Sequence, residues 1–241
     1  MSVTLALLLG LGGCALGPDR PASPPTDAVL AAPDFPPGWQ HLPLRPGKPL
    51  TRYAWLPGYE GQQGVIHAVA EHSASMLLHE AAGLDLARTP VLRWQWRLGQ
   101  LPDGAQHHLG SREDAAARVI LLFDGDKSRL PLDERMTLSM AEALSGRPMP
   151  YATLMYVSSS SAAVDQLIAN PHSTRIQKIV AGRAEPALGQ WVPLQRDVRQ
   201  DYLRAFGEPP GRLLAYGVMT DADNTGSRAE AWYTTPVFEP R

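Results

Sequence analysis

The stretch VLRWQWRL, residues 91–98, is the segment that decides the fold class. Its side chains alternate, so that Trp94 and Trp96 share one face of an extended strand while Arg93 and Arg97 share the other. Because large aromatic side chains dominate protein interiors, we expect the tryptophan face to be core. The alternative is that the tryptophans form an exposed platform on which sugar rings stack.

Similar short runs rich in β-branched and aromatic residues, separated by Gly, Pro, Asp and Asn, recur along the chain. They predict strands at 50–55, 65–71, 75–81, 91–98, 118–123, 153–157, 176–180, 191–194, 213–220 and 229–238. Helices are predicted at 131–145 and 197–206, where a glycine follows each C-terminus. Since no βαβ alternation is present, we expect an all-β fold, an antiparallel β-sandwich or jelly roll with one or two short helices.

The N-terminus resembles a bacterial lipoprotein signal. An apolar run ends in LGGC, which is similar to a lipobox, and Cys14 is the only cysteine of the chain. We therefore expect a signal peptide at 1–13, lipidation of Cys14, a proline-rich tether at 14–37 and a β-sandwich domain at 38–241. The run is too short to span a bilayer as a helix, so acyl chains would hold the protein to the membrane.

The residue after the cysteine is Ala15 and not an aspartate. By resemblance to lipoprotein sorting, this favours the outer membrane, with the domain in the periplasm. The formal net charge of −2 and the lack of a basic stripe argue against a nucleic-acid partner.

Two acidic residues, Glu113 and Asp114, precede an apolar strand headed by Arg118. A charged residue beside a core needs a partner, so Asp114 or a carboxylate on a neighbouring strand is expected to pair with Arg118. The alternative is that Arg118 binds an anionic group of a ligand.

The loop MTDADNTG, residues 219–226, places Asp221, Asp223 and Asn224 close together in sequence. Carboxylate and amide oxygens suit calcium, so these three residues are candidate ligands for that ion. The twelfth position from Asp221 is Trp232, where an EF-hand requires a bidentate glutamate, so this motif is excluded. Asp, Asn, Thr and Gly also favour a metal-free β-turn.

Several of these segments together resemble a bacterial family known as domain of unknown function 3047. The resemblance rests on WQWR at 94–97, the acid-led strand at 114–123, the loop at 219–226 and AWY at 231–233, and it covers roughly residues 39–238. It implies no activity, because none is established for the family. The pattern of a late strand with an acidic turn before an aromatic last strand is similar to jelly-roll carbohydrate-binding modules, an analogy of fold alone.

These patterns favour a non-catalytic module that binds a glycan. Trp96 or Trp232 would stack on sugar rings, Arg97 and Arg118 would contact polar or anionic groups with Asp114 nearby, and the 221–224 loop would hold calcium or accept hydroxyls. One alternative is a polysaccharide hydrolase or lyase that uses a pair of these carboxylates. Another is an envelope scaffold in which the same residues are only core, ion pair and turn.

Overall fold

The computed structural model describes residues 30–31, 34–170 and 173–241. The predicted signal peptide and Cys14 lie outside the described residues. The strands are β1 Leu30–Ala31, β2 Trp39–Pro43, β3 Arg52–Tyr59, β4 Gln62–Glu71, β5 Ala74–Glu80, β6 Val91–Gln100, β7 Arg118–Phe123, β8 Ala152–Ser159, β9 Leu167–Ala169, β10 Ile176–Arg183, β11 Val192–Asp197, β12 Leu213–Asp221, β13 Arg228–Thr234 and β14 Val237–Glu239. The helices are α1 Leu132–Ser145 and α2 Val198–Phe206.

The strands form two sheets. The eight-stranded sheet has the order β1-β2-β5-β12-β7-β8-β10-β9, and the six-stranded sheet has the order β11-β6-β13-β4-β3, with β14 also paired to β6. All pairs are antiparallel except β8 with β10, which run parallel. The predicted all-β sandwich is therefore confirmed, with one parallel pair that sequence patterns did not indicate.

Every predicted strand and both predicted helices are present, with small shifts at their ends. The segment 229–238 is divided into β13 and β14 at Thr235 and Pro236, and proline has no N–H to donate to a ladder. The short strands β1, β2 and β9 were not predicted. Because β1 pairs with β2, the end of the expected tether belongs to the sheet.

The hydrophobic core lies between the two sheets. Trp94 and Trp96 point inward from β6, and the ring of Trp94 stacks on Tyr156 of β8 with centroids 5.4 Å apart. The Tyr233 side chain crosses the core, and its hydroxyl lies 2.7 Å from the Thr220 hydroxyl. The two buried hydroxyls therefore form a hydrogen bond with each other. The expectation that the tryptophan face is core is confirmed.

Candidate functional site

The predicted site residues occupy three separate places. Trp96 is fully buried between the sheets, with 0% of its surface exposed, so no sugar ring can reach its faces. A stacking role for Trp96 is therefore wrong, because core packing uses both sides of its indole. The other residues divide between one end of the eight-stranded sheet (Asp114, Arg118, Asp221, Asp223, Asn224) and the outer face of the six-stranded sheet (Arg97, Trp232).

Arg118 has a carboxylate partner on the neighbouring strand. Its Nε donates to Oδ1 of Asp221 at 2.8 Å and its terminal nitrogen donates to Oδ2 at 2.7 Å. The two side chains are only 4% and 5% exposed, so this is a buried bidentate ion pair. Burial raises the pKa of Asp221 to about 6, although Arg118 acts in the opposite direction. The charge of Arg118 is thus matched within the chain.

Asp114 holds the loop that follows β12. Its Oδ1 accepts from the backbone N–H of Asn224, and its Oδ2 accepts from the backbone N–H and the hydroxyl of Thr225. The side-chain amide of Asn224 in turn donates to the carbonyl of Gly110. Asp114 therefore fixes the conformation of the turn and does not partner Arg118 directly.

The carboxylate oxygens of Asp114, Asp221 and Asp223 approach within 4.8 Å of one another, as ligands of one metal ion would. Each carboxylate is already engaged, however, because Asp223 pairs with Lys48, Asp221 pairs with Arg118 and Asp114 accepts from the turn. The two cationic side chains supply the positive charge that calcium would supply, and calcium requires six to eight oxygens. The residues present do not fit a calcium ion and match the metal-free turn.

The same engagement weighs against an acid–base pair built from these carboxylates. Asp114 and Asp221 are fully or almost fully buried, and each of the three residues has at least one carboxylate oxygen engaged by a partner within the chain. A general acid or base must reach a substrate atom at hydrogen-bond distance. The cluster is thus suited to holding β7, β12 and their loops together.

A cleft of about 590 Å³ lies beside this cluster. It is lined by methionines on the outer face of the eight-stranded sheet (Met76, Met155, Met219) and by the buried Lys178. The Lys178 ammonium donates to Glu113 at 2.6 Å and to the carbonyl of His107 at 3.1 Å. Sequence patterns did not single out Lys178, although a lysine between the apolar residues of the segment IQKIV indicated a buried charge.

Trp232 lies on the outer face of the six-stranded sheet, but its ring is covered. His67 stacks on it at 4.6 Å, Tyr59 stacks on it at 5.4 Å, and the Arg97 guanidinium lies 4.8 Å from its centroid. Only 9% of Trp232 is exposed. The expectation that Trp232 itself forms a sugar platform is therefore wrong, because neighbouring side chains already occupy its faces.

Tyr59, which sequence patterns did not single out, is a partly exposed ring of this stack. The β3–β4 hairpin turns at Glu60 and Gly61, whose φ angles are 46° and 82°. Positive φ at both positions is typical of a tight two-residue hairpin turn. The turn leans over the sheet, so that Glu60 reaches Arg97 of β6 and Tyr59 lies partly exposed on Trp232.

Arg97 forms an ion pair with the hairpin turn. Its Nε lies 2.9 Å from Oε2 of Glu60, an ion-pair contact without hydrogen-bond geometry. Within the described part of the chain, this buried Nε–H has no hydrogen-bond acceptor. The Glu60 carboxylate beside it compensates the charge of the guanidinium.

The β3–β4 hairpin that carries Tyr59 also borders a shallow cleft of about 720 Å³, whose lining includes four glutamines. The glutamines come from the start of β4, from β6 and from β11 (Gln62, Gln63, Gln95, Gln195). The Gln95 amide donates to the side-chain oxygen of Gln62 at 3.0 Å. The cleft also contains Arg93 and Glu239, which form an ion pair at 2.8 Å. We name the partly exposed Tyr59 ring together with these four glutamines the tyrosine–glutamine face. The repeated Gln-Gln in YEGQQG was the signal in the sequence.

The sequence matches a known protein family. A family model described as a protein of unknown function, DUF3047, matches residues 37–236, which is most of the chain. The protein therefore belongs to the DUF3047 family. No curated protein matches it significantly. No helix among the described residues is long and apolar enough to cross a membrane.

Proposed function

We propose that this protein is a lipid-anchored bacterial envelope protein that binds a glycan, without catalysis, on the tyrosine–glutamine face. The observation that carries the proposal is the partly exposed ring of Tyr59 beside a cleft lined by four glutamines. An aromatic face matches the apolar C–H face of a sugar, and amide groups both donate to and accept from hydroxyls. This pairing is the chemistry that a polyhydroxylated ligand requires.

The ring of Tyr59 is held in place before any ligand arrives. Trp232 stacks against it with an interplanar angle of 7°, and Trp232 is itself braced by His67 and Arg97. A side chain that is already ordered loses little conformational entropy on binding. The Arg97 guanidinium lies 5.9 Å from the centroid of the Tyr59 ring and helps to hold that ring in place.

The charges around this face are balanced. Arg93 pairs with Glu239, Arg97 pairs with Glu60, and Arg228 pairs with Glu230 at 3.2 Å. A neutral glycan is therefore favoured over a polyanion, because neither sign of charge is in excess. Each acidic group is matched by a basic partner, which supports binding over general acid catalysis.

The first test uses the mature chain, residues 14–241, with Cys14→Ser to prevent acylation. Thermal unfolding is measured with a linear β-glucan, a mannan and, as the anionic member, polygalacturonate. A ligand at 100 times its Kd stabilises the native state by about 2.7 kcal/mol. We expect a neutral glycan to raise Tm and Tyr59→Ala to abolish the shift.

Gln95→Ala should reduce the same shift, and Gln200→Ala on the exposed face of α2 is the matched control that should leave it unchanged. No Tm shift with any glycan would overturn the binding proposal. Release of reducing ends during incubation would favour the polysaccharide hydrolase instead. The lipid anchor is tested separately, since Cys14→Ser in the complete chain should abolish labelling by a radioactive fatty acid.

A further inference from the structure

Helix α1 turns its large apolar side chains toward solvent. Leu132, Met136, Met140 and Leu144 follow one another at intervals of four residues, and each is 62–67% exposed. At 3.6 residues per turn they form one continuous stripe along the helix. Exposed apolar stripes of this length mark a surface that contacts an apolar partner.

The opposite side of α1 faces the domain and is partly polar. Its buried residues are Glu134 and Leu138. The Glu134 carboxylate accepts from the Ser173 hydroxyl at 2.8 Å and from the backbone N–H of Thr174 at 2.6 Å. A surface helix normally buries its apolar stripe, so the orientation of α1 is the reverse of the usual one. The stripe is therefore available to a partner outside the domain.

The helix is connected to the N-terminal edge of the domain. Arg147, just after α1, donates to the carbonyl of Pro43 in β2 at 2.6 Å, and β2 pairs with β1. Leu30 of β1 follows Cys14 by 16 residues, and a chain of that length reaches at most about 58 Å. An anchor at Cys14 thus restrains α1 to the neighbourhood of the membrane.

We propose that the stripe of α1 lies on the surface of the lipid bilayer, as a second contact beside the acyl anchor. The inference rests on the lipidation of Cys14 proposed above. The helix carries three acids and one arginine (Asp133, Glu134, Glu142, Arg135), so its attraction to the bilayer is hydrophobic and does not depend on anionic lipid. A second contact that is tethered to the acyl anchor works at high effective concentration, so even a weak contact strengthens the attachment.

The experiment measures flotation of the mature chain with phosphatidylcholine vesicles, both in its acylated form and with Cys14→Ser. The variant Met136→Glu with Met140→Glu removes the stripe while keeping a good helix former at both positions. Leu188→Glu with Leu203→Glu, at exposed leucines 41% and 53% accessible elsewhere, is the matched control. Circular dichroism verifies that both variants are folded.

We expect the α1 variant to reduce vesicle partitioning of both forms by about tenfold or more, and the control variant to leave it unchanged. Addition of anionic phosphatidylglycerol should not increase the bound fraction. Unchanged partitioning of the α1 variant overturns the proposal. So does a dimer in analytical ultracentrifugation that the α1 variant dissociates, because the stripe would then contact a second copy. If only the proposal of a lipid anchor is wrong, the preparation with Cys14 and the Cys14→Ser form will bind vesicles equally.

Discussion

The buried ion pair between Arg118 and Asp221 provides the sharpest test of how the domain is held together. Asp221→Ala removes both hydrogen bonds to the guanidinium while Arg118 stays buried at 3% exposure. Removal of one partner of such a pair costs about 3–5 kcal/mol, because an uncompensated charge remains inside. For a domain of this size that lowers Tm by about 6–20 °C. The backbone N–H of Ala115 also loses its acceptor.

Urea unfolding followed by tryptophan fluorescence measures this loss. Arg212 and Asp124 form an ion pair at 3.1 Å with side chains 71% and 51% exposed, so Asp124→Ala is the matched control. An exposed pair contributes at most about 1 kcal/mol, and we expect the control to change little. The double variant Arg118→Met with Asp221→Ala should lose less unfolding free energy than the two single variants lose together. A loss below about 1 kcal/mol for Asp221→Ala would refute the assignment of a strong buried pair.

Three further perturbations follow from the same structure. Burial, with Arg118 and Lys178 nearby, lowers the pKa of His107 from 6.5 to about 4, so the native state resists its protonation. The contribution of His107 to the free energy of unfolding is fully present above pH 6.5. It is lost as the pH falls toward 4, by about 3 kcal/mol. Urea unfolding across that pH range will measure this loss. Gly217→Ala places a Cβ 2.0 Å from the carbonyl oxygen of Leu77 in β5 and should cost about 3 kcal/mol in urea unfolding. Asp197→Ala removes the cap of α2 and should cost about 1 kcal/mol by thermal unfolding.

Each of these three perturbations has a matched control variant. His107→Gln keeps a donor for the carbonyl of Ser158 and should flatten the pH profile; an unchanged acid loss would contradict the assignment. Gly182→Ala places its Cβ 3.3 Å from the Trp96 side chain and not against backbone, so a cost equal to that of Gly217→Ala would argue against the backbone clash. Asp197→Ser keeps an acceptor at the cap and should retain most of the stability, whereas a loss equal to that of the alanine variant would point to the ion pair with Arg241 instead.

The sequence determined the local features of the sandwich. Alternation around Trp94 and Trp96 specified a half-buried strand and its inward face, since the pleat has a period of two residues. Glycines at positive φ ended both helices where the sequence indicated, at Gly146 and Gly207. The family was also recognisable from the order of its motifs. All of these signals lie within short segments, where local conformational preference is decisive.

Only the tertiary structure decided which distant residues meet. Asp221 reaches Arg118 across 103 positions of sequence, and Glu60 reaches Arg97 because a hairpin turn leans over the sheet. The strands β1, β2 and β9 are too short to show a clear alternating pattern in the sequence. The parallel pairing of β8 with β10 has no sequence pattern that indicates it. The apolar stripe of α1 is readable in sequence, but its outward direction depends on Glu134 holding the opposite face to the domain. Pairing, register and orientation are set by contacts between segments far apart in the chain, and no local pattern encodes them.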